Sequence, residues 1–504
     1  MHRLKEIIRI VGRKRLKRIE VFNDTGSSNR KNLYHRFYHG VKGGLYKTDD
    51  EAAKALCNTD ARDKKYLMLK SRVRNRLLNT LFFLDNSAAS EWEQAVLQCN
   101  RNLMAAKVLL MNGARSAGES LLRTTLTQAE KFEITDVTLN CLLSLRFAAS
   151  FAGNASEFEM FRQRIKEVSA IFDAENRAEE YSQIIALPFV KSHNTRPEVA
   201  VTAQLYLDEM EAERKKHTSF KLEMAIFRLK AMVGQVSGGF DMILDACEEI
   251  EIYQKHKTQF SAKIRLGEIA IYRMVAYLHL GRYEDGKDTA ANAIQYFGEG
   301  SLNWLLFLEY FFLLCMHTGN YVQASGIYHR VTEHPRFAQV DDARKEKWRI
   351  FEAFLRYMLN GRIDAAASET AETQFKLMKF LNEVPIYSKD KRGLNIAIII
   401  LQVLFLLDRR DFDGIISRAE ALKVYCSRYL KQDENYRSNC FLKMMLMMEK
   451  KGFKYEATSQ LTERYYNLLQ SSRFNYQGGS LASLEIIPYE KLWASILGKL
   501  KEMG

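Results

Sequence analysis

The sequence has little proline and little glycine for its length. Its 504 residues include only 5 Pro and 26 Gly, whereas soluble proteins average about 5% Pro and about 7% Gly. Because Pro interrupts helices, its scarcity favours long helices. Charged residues make up 27% and apolar residues 47% of the chain, which argues against wholesale disorder. The composition therefore predicts a mostly helical globular protein.

Segments that cross membranes or direct secretion are also missing. No run of 18 apolar residues occurs, and the most apolar stretch, Ile396 to Leu407, has the length of a buried helix. The N-terminus is charged but lacks the apolar region of a signal peptide. The seven cysteines are scattered and show no CxxC spacing, which is typical of reduced thiols. We therefore expect a cytoplasmic protein without a transmembrane segment.

Motifs of catalysis and metal binding are absent. The sequence contains no GxSxG, GxGxxG or HExxH pattern. Residues 281–288 fit the GxxxxGK phosphate-loop pattern, but Asp288 replaces the hydroxyl residue that holds Mg²⁺, and a helix rather than a strand precedes it. His35 and His39 are spaced for a shared metal but lack a third ligand, so we interpret them as part of an aromatic and basic surface. We expect no enzymatic activity, no cofactor and no metal; an enzyme without a recognisable motif is the less favoured alternative.

The positive charge is concentrated at the N-terminus. Residues 1–85 contain 21 Lys and Arg against 9 Asp and Glu, which is +12 of the chain's net +14. The other 419 residues are therefore close to neutral. Such asymmetry is typical of contact with nucleic acid or another anionic surface. It also predicts a domain boundary near residues 85–87.

The basic segment has the pattern of several short helices. Residues 3–20 predict a basic amphipathic helix. Thr48 can cap a helix over 49–57, with Glu51 completing a capping box and with Ala52, Ala53 and Leu56 buried. A second helix of about 22 residues would start near Ala61, since an apolar stripe recurs at helical spacing: Tyr66, Leu69, Val73, Leu77 and Leu81. The short helix, the turn and the basic helix loosely resemble a helix-turn-helix.

The basic side chains of these helices are the candidate binding residues. They are Arg13, Lys14, Arg15, Lys17, Arg18, Lys64, Lys65, Lys70, Arg72, Arg74 and Arg76. Lys and Arg at this density bind nucleic acid because phosphate contacts release counterions. Docking on an acidic protein partner is the main alternative, and a solvated helix or a membrane surface is a further one. The sequence does not distinguish DNA from RNA as the partner.

From about residue 90 onward, a junction pattern recurs every 38 to 49 residues. At 281, 319 and 361 a Gly is followed by an aromatic or aliphatic residue two positions later and a small residue five positions later, whereas at 452 the small residue is kept and the aromatic residues stand one and three positions later. Gly permits positive φ where a helix ends, and a small residue lets two helices approach closely. The junction residues are Gly239, Gly281, Tyr283, Gly319, Tyr321, Ala324, Gly361, Ala366, Gly452 and Ala457, and Arg410 replaces the Gly of one further junction.

These junctions resemble the Gly-x-Tyr-x-x-Ala connection between the two helices of a tetratricopeptide repeat. The period is near 42 rather than 34 residues and the closing Pro is mostly missing, so we describe the repeats as tetratricopeptide-like. The resemblance implies an all-α fold, a right-handed α-solenoid of helix-turn-helix repeats whose groove binds a protein or peptide. An unrelated helix bundle with Gly turns is the alternative.

Charge and repeats together predict five segments. They are a basic helical module at 1–85, a first repeat segment at 86–186, a break at 187–200, a repeat array at 201–474, and a C-terminal region with a capping helix at 475–504. We expect a scaffold or adaptor whose basic module contacts nucleic acid, a layout similar to peptide-sensing transcription regulators that contain repeats. The alternative is a pure assembly scaffold whose basic segment docks on an acidic protein. The sequence identifies neither the partner nor the oligomeric state.

Overall fold

A computed structural model describes residues 1–13, 28–81, 89–191, 197–360, 394–419, 436–472, 474 and 485–503. All regular secondary structure in these ranges is helical, and helices that follow one another in sequence pack together. The prediction of an all-α fold is therefore confirmed. None of the helices in these ranges is both long enough and apolar enough to cross a membrane.

The chain consists of two compact units, Met1–Val168 and Ser169–Gly504. The helices that begin in the first unit are α1 His2–Arg13, α2 Ser28–Lys42, α3 Asp49–Cys57, α4 Lys64–Leu81, α5 Glu91–Met111, α6 Arg115–Lys131, α7 Thr135–Phe151 and α8 Ala155–Lys191. They enclose two separate hydrophobic clusters, one from α1–α4 and one from α5–α8. The expected boundary near residues 85–87 lies outside the described residues.

The second unit continues the succession of helices. They are α9 Pro197–Arg214, α10 Phe220–Ser237, α11 Phe240–His256, α12 Lys263–Leu280, α13 Tyr283–Ala293, α14 Leu302–Thr318, α15 Tyr321–Thr332, α16 Asp342–Asn360, α17 Leu394–Asp408, α18 at 412–419, α19 Tyr436–Lys450, α20 Tyr455–Ser471 and α21 Tyr489–Met503. Short 3-10 helices lie at Thr258–Phe260, Ile294–Tyr296 and Pro335–Gln339. The expected break at 187–200 falls where α8 continues through Pro188 to Lys191 and α9 begins at Pro197.

Glycine ends several helices at the expected junctions. Gly281 and Gly319 follow α12 and α14 with φ of 68° and 86°, in the left-handed region that side chains with a Cβ avoid. At the next junction upstream, Gly238 has the positive φ of 74°, whereas Gly239 has φ −86° and is the N-cap residue just before α11. The helix-ending role there belongs to Gly238, one residue before the expected position. Gly361 and Ala366 lie outside the described residues.

Small residues permit close helix packing after these turns. Ala324 is fully buried in the first turn of α15. Gly286 lies in the first turn of α13, where an added Cβ would collide with the side chain of the buried Leu314 in α14. Ala457 is half-buried near the start of α20. A small residue five positions after the junction Gly therefore allows the helix that follows to pack closely against its neighbours.

Helix α14 is buried on nearly all sides. Glu309 of α14 forms a buried ion pair with Lys347 of α16, whose Nζ lies 2.9 Å from Glu309 Oε1. The expected C-terminal region contains the helix α21, which begins at Tyr489. Lys491 Nζ of that helix donates a hydrogen bond of 2.6 Å to the carbonyl of His317 at the end of α14. Within the second unit, this bond joins residues that are far apart in sequence.

Candidate nucleic-acid interface of the N-terminal module

Helices α1–α4 form what we call the N-terminal module, and they share one hydrophobic core. The core residues are Leu4, Ile8, Tyr34, Phe37, Tyr38, Val41, Tyr46, Ala52, Ala53, Leu56, Tyr66, Leu69, Val73 and Leu77. The predicted apolar stripe of α4 is confirmed for its first four members, and Leu81 packs partly buried against the same core. Since this face of α4 is occupied by the core, its remaining faces determine what the module can bind.

Local hydrogen bonds set the ends of α3. Thr48 Oγ1 accepts a hydrogen bond from the Glu51 N–H at 3.2 Å, and Glu51 Oε2 accepts from the Lys47 N–H at 2.7 Å. The predicted helix Asp49–Cys57 with its buried Ala52, Ala53 and Leu56 is confirmed. It ends at Asn58, whose φ of 52° lies in the left-handed region that Asn tolerates better than most residues.

Helix α4 begins three residues later than predicted. Asp63 Oδ1 accepts a hydrogen bond of 2.7 Å from the Lys65 N–H, the arrangement of an aspartate that caps the start of a helix. The residues from Ala61 to Asp63 therefore belong to the turn. The described helix, Lys64–Leu81, has 18 residues.

The aromatic residues of α2 lie inside the module rather than on its surface. Tyr34, Phe37 and Tyr38 are buried in the core, so the interpretation of this stretch as an aromatic and basic surface is wrong for the aromatics. Helical spacing places these rings on one side and leaves His35 and His39 exposed on another. The two imidazoles lie 4.2 Å apart, and burial together with the charges of His35 and Lys42 lowers the pKa of His39. No cluster of metal-binding side chains occurs in the described parts of the chain.

The face of α4 opposite the core is polar and cationic. Lys64, Met68, Ser71 and Asn75 follow one another at steps of four, three and four residues, so they form the line that points away from the core. By the same geometry Lys65 and Arg72 lie on one flank of that line, and Arg74 lies on the other. All seven side chains are exposed. The helix contains no Asp or Glu at any position.

Neighbouring carboxylates accept hydrogen bonds from backbone N–H groups instead of forming ion pairs with these cations. Asp50 Oδ1 accepts from the Ala61 N–H at 3.2 Å, and Asp60 Oδ1 accepts from the Arg62 N–H at 2.7 Å. Both bonds stabilise the turn between α3 and α4. Lys64, Lys65, Arg72 and Arg74 form no ion pair with any residue that the structure describes.

Two of the predicted binding residues have partners within the module. Lys70 Nζ lies 2.7 Å from Asp49 Oδ1, and the Tyr66 hydroxyl donates to the same oxygen at 2.6 Å. Although burial opposes it, the hydrogen bonds from Lys70, from the Met1 ammonium to Asp49 Oδ2 at 2.7 Å, and from Tyr66 hold the pKa of Asp49 well below its usual range. The Arg76 guanidinium lies 4.4 Å from the ring centroid of Tyr34, a cation–π distance. Lys70 and Arg76 thus stabilise the module through contacts beside its hydrophobic core.

The other candidates come from the basic helix predicted over residues 3–20. Arg13 is the last described residue of α1, and Lys14, Arg15, Lys17 and Arg18 lie outside the described residues. Sequence reasoning missed the outward line through Met68, Ser71 and Asn75. Its signal was present, since these residues recur at helical spacing from Lys64 on the side opposite Tyr66 and Val73.

In comparisons with protein-family models, with curated proteins and with solved structures, no match to this chain was found. The functional interpretation therefore rests on the geometry of the chain itself. That geometry is a self-contained helical core that presents one exposed, carboxylate-free helix face.

Proposed function

We propose that this protein is a non-enzymatic helical-repeat adaptor. Its N-terminal module binds nucleic acid through the outward face of α4, and its helical array binds a protein or peptide partner. One observation carries the proposal: α4 exposes Lys64, Lys65, Arg72 and Arg74 without a carboxylate on the same helix. Solvated cationic faces are usually interleaved with acidic residues, and this one is not.

Duplex DNA is the nucleic acid that fits this face best. An 18-residue helix is about 27 Å long, and the major groove of B-DNA, about 12 Å wide, admits one helix. With Lys64, Ser71 and Asn75 towards the base edges, Arg72 and Arg74 on opposite flanks reach the phosphates of the two strands. The major groove of A-form RNA is too narrow for side chains to enter, which disfavours duplex RNA.

The array that follows is, in this proposal, a right-handed tetratricopeptide-like solenoid in a cytoplasmic protein. Support comes from positive φ at Gly281 and Gly319, from the small residues Gly286 and Ala324 after them, and from packing between alternate helices such as α12 and α14. Stacked helix pairs of this kind present extended surfaces to partners. The six described cysteines are free thiols, which supports a reducing compartment.

The test uses the full chain and three short duplexes of DNA, RNA and a DNA–RNA hybrid. Fluorescence anisotropy at about 50 mM salt, where phosphate contacts are strong, compares the wild type with the triple variant Lys64→Ala, Arg72→Ala, Arg74→Ala. A control triple variant, Lys131→Ala, Arg162→Ala, Lys216→Ala, removes the same charge from exposed positions elsewhere. Circular dichroism confirms that both variants retain their helical content.

We expect DNA to bind most tightly, with a loss of about tenfold or more in the α4 variant and little change in the control. Failure of the wild type to bind any duplex would overturn the nucleic-acid proposal. Equal losses in both variants would show that net charge, and not the α4 face, is responsible.

An acidic protein partner is the second candidate for the same face. Leu67 and Met68 are about half exposed among the cations of α4, and exposed apolar side chains among charges are typical of protein interfaces. Binding of a glutamate-rich helical peptide, lost in the α4 variant, without binding of DNA would support this candidate over the first.

A further inference from the structure

Helices α5 and α7 expose apolar side chains in two lines. On α5 these are Met104, Val108 and Met111, and on α7 they are Leu143, Phe147 and Phe151. Met111 is 85% exposed and Phe151 is 70% exposed. Spacings of three and four residues place each set on one side of its helix.

The two lines lie next to each other. Lys107 Nζ of α5 donates a hydrogen bond of 3.2 Å to Asn140 Oδ1 of α7. Lys107 stands between Met104 and Val108 in sequence, and Asn140 precedes Leu143 by three residues, within one helical turn. The bond therefore joins α5 and α7 beside both lines, and the six residues form one surface, which we call the α5–α7 surface.

The hydrophobic core does not need these residues. The core side of α5 is formed by Cys99, Leu103 and Ala106, and that of α7 includes Cys141 and Leu145. Both helices are thus apolar on the core side and again on the exposed side. Single exposed apolar residues are normal, whereas a contiguous group marks an interaction site.

Positive charge predominates beside the α5–α7 surface, and the exposed Asp136 in the first turn of α7, seven residues before Leu143, is the carboxylate nearest to it in sequence on that helix. Arg101 lies on the exposed line of α5 one turn before Met104, Arg146 adjoins Phe147, and the exposed Arg115 begins α6 directly after the turn that follows Met111. Residues 94–118 and 137–156 contain no Asp or Glu. A partner that covers the apolar lines must therefore bring negative charge to their edges.

We propose that the α5–α7 surface binds an amphipathic, acidic helix of a protein partner. Two adjacent helices with apolar lines form a groove in which a third helix can lay its apolar face, with anchors at positions i, i+3 or i+4, and i+7. Exposed Met and Phe side chains suit such anchors because they are large and adaptable. Acidic residues beside the anchors pair with Arg101, Arg115 and Arg146. This inference rests on the adaptor part of the proposed function and names the surface and the partner chemistry.

The test is a selection with displayed peptides on the full chain. A library of random 16-residue peptides is panned separately on three proteins: the wild type, the variant Met111→Glu, Phe147→Glu, and the control Leu205→Glu, Val322→Glu. All four substituted residues are exposed, so the fold should be retained, and thermal unfolding checks this. A fourth protein, Arg101→Glu, Arg115→Glu, reverses the charge while keeping the apolar lines.

We expect wild-type and control proteins to enrich acidic peptides with apolar residues at helical spacing. A synthetic, fluorescent copy of an enriched peptide should bind the Met111→Glu, Phe147→Glu variant about tenfold or more weakly. The charge-reversed protein should enrich basic peptides of the same apolar spacing.

Several results would overturn the inference. One is enrichment of the same peptides by the wild type and by Met111→Glu, Phe147→Glu, and another is enrichment of neutral or basic peptides by the wild type. Dimerisation of the wild type that this variant abolishes would identify a second copy as the occupant. Flotation with phosphatidylserine vesicles that this variant abolishes would identify a membrane surface. DNA binding is measured on the same proteins. A wild type that binds DNA but enriches no acidic amphipathic peptide would therefore refute this inference alone.

Discussion

The Lys70 ammonium lies 2.7 Å from Asp49 Oδ1 across the gap between α4 and the start of α3. This contact separates two kinds of cation on one helix. Lys70 holds α4 against α3, whereas Arg72, two residues later, is exposed and forms no ion pair with a described residue. Charge density alone predicts that both residues bind a partner. The geometry instead assigns Lys70 to an internal ion pair and leaves Arg72 exposed.

The first prediction concerns Lys70→Met. Because a carboxylate loses a charged donor, we expect α3 and α4 to be destabilised by about 1–3 kcal/mol. Hydrogen exchange of their amides, followed by mass spectrometry, should accelerate accordingly, while Arg72→Met should leave exchange unchanged. The lowered pKa of Asp49 means that this stabilisation is present above the usual carboxylate pKa and is lost as the pH falls below about 4. Equal exchange in both variants would contradict the assignment.

The second prediction separates backbone strain from crowding at one repeat junction. Gly281→Ala should cost about 1 kcal/mol because φ is 68° and a Cβ would meet open space. Gly286→Ala should cost about 1–3 kcal/mol because its Cβ meets the buried Leu314. Gly326→Ala, in the exposed helical interior of α15, should be neutral or slightly stabilising. Urea unfolding followed by tryptophan fluorescence measures the order, and a different order would refute the explanation.

The third prediction concerns the buried ion pair between Lys347 and Glu309. Lys347→Met should lower the free energy of unfolding by about 3–5 kcal/mol, since it leaves a buried carboxylate without this partner. The double variant Lys347→Met, Glu309→Leu should regain most of the loss, because apolar replacement of both partners removes the uncompensated charge. Calorimetry of the two variants distinguishes this from a simple loss of packing, in which the double variant would be less stable still.

The fourth prediction concerns pH and His317. Burial, with the charges of Lys491 and Arg437, lowers the pKa of His317 to about 4 although its bond to the Glu485 carbonyl and the charge of Glu490 act in the opposite direction. The unfolded chain therefore binds more protons than the folded chain between about pH 4 and about pH 6.5. Stability is fully present above that window and falls by about 1 kcal/mol per pH unit within it.

The variant His317→Gln supplies the comparison for this pH effect. It cannot titrate, and its side-chain amide can still donate to the Glu485 carbonyl. Lowering the pH from 7.5 to 5 should destabilise the wild type relative to His317→Gln in thermal unfolding. Glu346, whose pKa burial raises to about 7, acts in the opposite direction in both proteins and cancels in this comparison. The same change of stability with pH in both proteins would contradict the prediction.

Short-range rules predicted much of the fold. The Thr48 cap, the buried Ala52 and Leu56, and the stripe from Tyr66 to Leu77 each depend on residues within one or two helical turns. The inward position of Tyr34, Phe37 and Tyr38 was also predictable, since they share one side of a helix; their basic neighbours were given too much weight. The start of α4 was missed because the Asp63 cap displaced it by three residues.

Contacts between distant residues could not be predicted in the same way. Asp49 and Lys70 are 21 residues apart, and His317 and Glu485 are 168 apart. The packing of the helices determines which Lys or Arg forms an ion pair within the protein. The spacing of residues in the sequence does not show this. The sequence therefore placed the candidate site on the basic helix as a hypothesis, and identifying the outward line of that helix required the structure.

The salt dependence of DNA binding tests the central claim most directly. Each phosphate contact that a cation makes steepens the fall of log K with log salt by about 0.9. Between about 50 mM and about 200 mM salt, the triple variant Lys64→Ala, Arg72→Ala, Arg74→Ala should show a slope shallower by about 3 than the wild type. The control Lys131→Ala, Arg162→Ala, Lys216→Ala should keep the wild-type slope. An unchanged slope in the α4 variant, or no DNA binding by the wild type, would contradict the account.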